Sequence, residues 1–185
     1  MRARTAVAGD ADAICDVQVA GWRAGYRGIF PDEMLDADSF DEEWRARWRA
    51  WRLPPDTEVL VVTEGDGQPI GFASIGPERE PDDVIGPPRG EVHAFYVHPL
   101  HWGSPAATVL MQEAERRLLT RGYAVGVLWV LAENPRGRAF YERIGWRWTG
   151  ATSWFEQVAG HLIALVEYSR VLEGSGNPTT PPGAP

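Results

Sequence analysis

Apolar residues recur at helical spacing over the first fifty residues, then at strand spacing, then in blocks of both kinds. Residues 4–7 form a short first strand. Behind them Ile14, Val17, Gly21 and Ala24 share one helical face, and Asp10 or Asp12 is placed to cap that helix. Pro31-Asp32-Glu33 opens a short second helix. A third helix spans about residues 40–52, carries Trp44, Trp48 and Trp51 as a core stripe, and stops at Pro54-Pro55. Beyond this point alternation takes over. Residues 58–64 (EVLVVTE) and 68–76 (QPIGFASIG) flank the turn Gly65-Asp66-Gly67, the signature of a β-hairpin. Residues 77–89 are rich in Pro, Gly and Asp and predict a mobile loop.

The second half repeats the switch. Residues 91–97 (EVHAFYV) predict a strand. Residues 105–121 predict an amphipathic helix with Ala107, Leu110, Met111, Ala114 and Leu118 on one face, ended by Gly122. Residues 124–132 (AVGVLWVLA) are apolar enough for a strand buried on both faces. Asn134 caps a helix opened by Pro135 and closed by Gly145. Residues 146–155 and 161–170 are two further strands. The order predicts an α/β (α+β) domain over residues 1–172: a central, mixed, mostly antiparallel twisted sheet with a βαβ crossover and helices on both faces. A disordered tail, 173–185, follows. The crossover makes its two strands parallel and sets a helix N-terminus at the end of the first, a natural phosphate site.

Charge and composition narrow the partners. A formal net charge of -8 argues against nucleic acid and gives no attraction to anionic membrane. No apolar run is long enough to span a bilayer, and the N-terminus leads into no signal-like segment. Cys15 is the single cysteine, so no internal disulfide forms. The expected compartment is the cytoplasm. Oligomeric state is left open, a homodimer included.

Three stretches carry a resemblance. GEVHAFYVHP, VLWVLAENPRGRAFYERIGW and the intervening loop and helix resemble the GNAT superfamily of N-acetyltransferases, and VQVAGWRAGYRGIFPDEML is similar to the first two helices of many bacterial members. The resemblance implies the GNAT fold and transfer of an acetyl or other acyl group from a CoA thioester to the amine of a small molecule. It implies that the cofactor's arm lies between the splayed strands at 91–97 and 124–132. A backbone N–H within residues 92–97 would meet the acyl oxygen, and Val97 the arm. Asn134 matches the asparagine that binds the arm, Tyr141 the tyrosine that protonates the departing thiolate, and Glu91 the general base of some members. Trp22 and Tyr26 match the region that shapes the acceptor pocket.

The family's pyrophosphate loop reads Q/R-x-x-G-x-G/A. Here it is Trp102, Gly103, Ser104, Pro105, Ala106 and Ala107. Trp102 stands in place of Gln or Arg, and Pro105 in place of the central glycine. Proline has no N–H to donate, and its ring fills space that glycine leaves open. The departure brings in a second function: a relative that binds a ligand, or runs another reaction, without ordinary use of acetyl-CoA. Pro105 also reads as a helix start behind the cap Ser104. Tyr141 has a second reading as a packing residue beside Phe140, although its AFYERIGW context favours the site position, and Glu91 reads equally as a strand-edge carboxylate in solvent. His93, on the face of Glu91 by strict alternation, is a second candidate base. His98 and His101 decorate the loop without metal-ligand spacing, and no metal is expected.

Overall fold

A computed structural model describes residues 1–65, 67–79, 86–158 and 161–173, with the backbone alone for residues 155–158 and 161. The turn residue Asp66, part of the 77–89 loop and all but the first residue of the 173–185 tail lie outside the described residues. Seven strands form one sheet: β1 (Arg2–Thr5), β2 (Glu58–Thr63), β3 (Pro69–Pro77), β4 (Arg89–Val97), β5 (Val125–Leu131), β6 (Arg147–Val158) and β7 (His161–Val171). Their spatial order is β1-β2-β3-β4-β5-β7-β6. Every neighbouring pair is antiparallel except β4–β5, the parallel pair that the crossover dictates.

The alternation in β2 shows why helices cover both faces. Val59 and Val61 join a cluster with Ile14, Val17 and Phe72, whereas Leu60 and Val62 join Leu110, Met111, Ala114 and Leu118. The first face is covered by α1 (Ala11–Gly25) and α3 (Asp38–Arg49), with the one-turn α2 (Asp32–Leu35) between them. The second is covered by α4 (Ala106–Thr120) and α5 (Pro135–Arg143). Leu110, Met111 and Leu118 are essentially fully buried, each stabilising the domain by about 1.5–3 kcal/mol.

Two expectations are corrected. Asp10 precedes α1 but makes no cap bond to it, because its carboxylate accepts from the Val7 amide (2.9 Å) and from Arg4 (2.7 and 2.9 Å). The tryptophan stripe is only partly core. No residue of α3 is fully buried, and the indole of Trp48 donates to Gln18 (2.7 Å) instead of packing dry.

Candidate functional site

The site begins with a failure of strand pairing. β4 pairs with β5 only through Arg89–Val125, Gly90–Gly126 and Glu91–Val127. Past Glu91 each strand keeps its other neighbour, β3 as far as Val97 and β7 as far as Leu131. A gap therefore opens in the sheet, bordered by residues 92–97 and 128–131. The His98 amide donates to the Ile70 carbonyl at 2.8 Å. Alternate residues of an antiparallel strand turn their backbone groups to opposite sides. Phe95 and Val97 thus present theirs to the gap, where no strand receives them. Unpaired backbone of this kind needs a partner, and a ligand arm carrying amides matches it. The Val97 carbonyl already has one, the Trp102 indole N–H at 2.8 Å.

Groups from both faces of the sheet meet at this opening. Tyr96, on β4, faces α1. Its hydroxyl accepts from the Trp22 indole (3.0 Å) and from the Tyr26 hydroxyl (3.5 Å). Tyr141 comes from α5 on the opposite face and packs edge-on against Phe95. Burial pushes the Tyr141 phenol well above its ordinary range, with the Tyr96 hydroxyl adding to the shift, and Tyr26 is raised by burial, Tyr96 and Tyr141. Among the described residues Tyr141 donates to no protein acceptor. A phenol with a raised pKa stays protonated at neutral pH, which suits a proton donor and not a base. Sequence reasoning missed Tyr96, although its place opposite Phe95 and Val97 in the alternation directed it to the α1 face.

The two candidate bases share the α1 face of β4, with the His93 ring beside Gly76, the residue paired with Glu91. Ser74 pairs with Ala94 and Ile75 with Val92, so His93 is the extra residue of a β-bulge and strict alternation breaks there. Glu91 is 1% exposed. Its carboxylate accepts from the Arg79 amide (2.9 Å) and from Nε (2.9 Å) and a terminal nitrogen of the Arg79 guanidinium. The lone pairs of this carboxylate are thus occupied by Arg79. His93 leans over β3: a Cβ on Gly76 would lie 2.8 Å from its ring and 3.2 Å from the Asp56 carbonyl. Its Nε2 lies 2.8 Å from the Pro77 carbonyl, which can only accept, so Nε2 carries the hydrogen. Burial lowers its pKa.

The loop before α4 keeps much of a phosphate cradle. Gly103 has φ +82°, a conformation suited to glycine. Ser104 Oγ donates to the His101 carbonyl (2.7 Å) and accepts from the Ala106 amide (3.3 Å). Pro105 has helical dihedrals, and its carbonyl accepts from Val109 (2.9 Å). It lies just outside α4 but begins the helical spiral. Ala106 is buried against the core. Among the described residues the amides of Gly103, Ala107 and Thr108 have no protein acceptor. Asn134 caps α5 by accepting from the Gly137 amide at 3.0 Å, which leaves its NH2 group as a donor. Across the opening, Arg136 of α5 lies 3.7 Å over the Trp102 ring.

A gap with exposed backbone amides, a helix N-terminus at its mouth and a protonated tyrosine within it defines a cleft for an extended, anion-ended cosubstrate. The chain matches the model of the acetyltransferase (GNAT) family over residues 20–146 and belongs to that family. It is 29% identical over 126 residues to an uncharacterised N-acetyltransferase of Bacillus subtilis, YuaI, spanning 68% of this chain and 69% of that one. It is 25% identical over 168 residues to the probable N-acetyltransferase Rv2775 of Mycobacterium tuberculosis, spanning 91% of this chain and 92% of the relative. Among solved structures, yncA from Salmonella typhimurium with its cofactor acetyl-CoA aligns with TM-score 0.62 at 25% identity, over 96% of this chain and 97% of that one. PaiA N-acetyltransferase from Thermoplasma acidophilum in complex with coenzyme A aligns with TM-score 0.64 at 21% identity, over 90% and 96%. The mixed seven-stranded fold is thus that of this family. No helix among the described residues is long and apolar enough to cross a membrane.

Proposed function

We propose that the protein transfers an acetyl or other acyl group from a CoA thioester to the amine of a small molecule. The observation that carries this reading is the opening between β4 and β5, lined by unpaired β4 backbone and the Tyr141 hydroxyl. The coenzyme A and acetyl-CoA bound by PaiA and yncA support the cofactor assignment. Val97 and Asn134 would hold its arm, and the amides of Gly103, Ala107 and Thr108 its phosphates. When bound, the thioester supplies an activated acyl carbon and a thiolate leaving group.

The rest is done by residues of this chain. A gap-facing β4 amide donates to the acyl oxygen as it gains charge. Tyr141 keeps its proton and delivers it to the departing sulfur. Trp22, Tyr26 and Tyr96 wall the acceptor side, where aromatic faces and hydroxyls suit an amine. The amine must be neutral to attack. Glu91, at the apex of the gap, takes its proton once Arg79 has withdrawn, while His93, whose Nε2 hydrogen is engaged by the Pro77 carbonyl, is the second candidate.

The loop holds its ligand less firmly than a glycine loop, because Pro105 offers no amide. A ligand-binding protein without acyl transfer is favoured by one observation, the Trp102 indole occupying the Val97 carbonyl. Free thiol released from acetyl-CoA in the presence of a panel of primary amines separates the readings. Amine-dependent thiol release with an acylated product supports transfer. Binding without release from any amine supports the alternative.

A further inference from the structure

Three sources of positive potential converge at the mouth of the gap. The N-termini of α4 and α5 each carry a partial positive charge. Neither helix has an acidic residue in its first turn. Arg136 adds a full charge in the first turn of α5, the end of a helix where a cation is disfavoured. Among the described residues it forms no ion pair with neighbouring Glu133 or any other carboxylate. Arg27, Arg45, Arg49 and Arg116, similarly near the surface, each pair with a carboxylate, whereas Arg47 and Arg143, like Arg136, meet an aromatic ring and form no ion pair among the described residues.

Arg136 is nevertheless held in place. Its guanidinium lies 3.7 Å from the Trp102 ring centroid, closer than Arg47 over Trp44 (5.0 Å) or Arg143 over Phe140 (5.5 Å). The platform is itself fixed, since the Trp102 indole donates to Val97 at 2.8 Å and the ring packs against the core. An arginine stacked on an indole keeps its N–H edge free for phosphate oxygens.

We propose that Arg136, posed on Trp102, binds the pyrophosphate of the CoA thioester and supplies from α5 the cation that the loop before α4 lacks at its first position. The inference rests on the cofactor reading above. Trp102, which removes a side-chain donor from the loop, returns one by stacking. The cofactor would then lie between the α4 amides and the Arg136 guanidinium, so loss of the Pro105 amide is partly offset.

The test is calorimetric titration of the full chain and of Arg136→Ala with CoA, 3′-dephospho-CoA and pantetheine at fixed salt. Arg136 is exposed, so the variant should keep its melting temperature. Charge-assisted hydrogen bonds predict about 10–100-fold weaker binding of both CoA and 3′-dephospho-CoA. The loss should shrink as salt is raised, and pantetheine affinity should not change. A loss confined to CoA would move Arg136 to the 3′-phosphate and overturn the assignment. An equal loss for pantetheine would make its role structural. Unchanged CoA affinity would refute the proposal while leaving the cofactor reading intact. No CoA binding by the unmodified protein would end both.

Discussion

Replacing Pro105 restores a backbone donor at a defined place. Pro105 already has helical dihedrals (φ -65°, ψ -9°) and receives the amide of Val109. An N–H at this position would therefore point out of the helix start with those of Ala107 and Thr108, toward the anion. One added hydrogen bond to a charged oxygen contributes about 1.5–3 kcal/mol, or roughly 10–150-fold in affinity. Pro105→Ala adds the N–H while keeping a Cβ, and Pro105→Gly removes the Cβ as well. Equal gains would assign the defect to the missing amide. A larger gain for glycine would assign part of it to bulk. Both variants free the unfolded chain, costing about 0.4–1 kcal/mol and lowering Tm by at most about 2–4 °C. The assay is calorimetry with acetyl-CoA at fixed salt, alongside a thermal melt. Tight binding by the unmodified protein, with no gain in either variant, would refute the impaired-loop argument.

Three further outcomes are expected. Tyr141→Phe should lower kcat about 10²–10⁴-fold with little change in KM, because the hydroxyl acts as the thiolate leaves; steady-state kinetics that match the unmodified protein would remove it from the mechanism. His93 has a pKa lowered by burial, so the folded state resists a proton that the unfolded chain accepts near about pH 6.5; its contribution to stability is present above that pH and lost on acidification toward the folded value. Urea midpoints of His93→Gln should accordingly fall less steeply than those of the unmodified protein between neutral and mildly acidic pH, and parallel curves would contradict this. Deleting residues 173–185 should leave the melting temperature nearly unchanged, since among the described residues Leu172 is the last one packed into the core, and a drop of more than a few degrees would show that the tail packs on the domain.

Period and punctuation made the architecture legible. The hairpin of β2 and β3, the α4 crossover and the Asn134 cap all follow from local patterns, and their strand and helix ends shift by only one or two residues. The site was legible where chemistry sits at a fixed offset from such a pattern: Tyr141 lies seven residues beyond Asn134, and the loop directly precedes α4. What alternation mishandled was β4. A bulge at His93 has no sequence mark, and it slips the alternation at Ala94 while Glu91 and His93 keep one face. Long-range pairing was equally silent. Nothing in residues 77–89 announces that Arg79 returns to occupy Glu91, or that Arg136 crosses the gap to Trp102. These contacts depend on tertiary geometry. The resemblance pointed to the missing loop cation, and only the structure offered a substitute.

The central claim is that the opening between β4 and β5 is the cofactor site. Amide hydrogen exchange of the unmodified protein, with and without saturating CoA, tests it most directly. The account predicts slowed exchange in segments covering residues 92–108 and 128–137, with little change in α3 or β6. Unaltered exchange in those segments, or protection confined to another part of the fold, would contradict it.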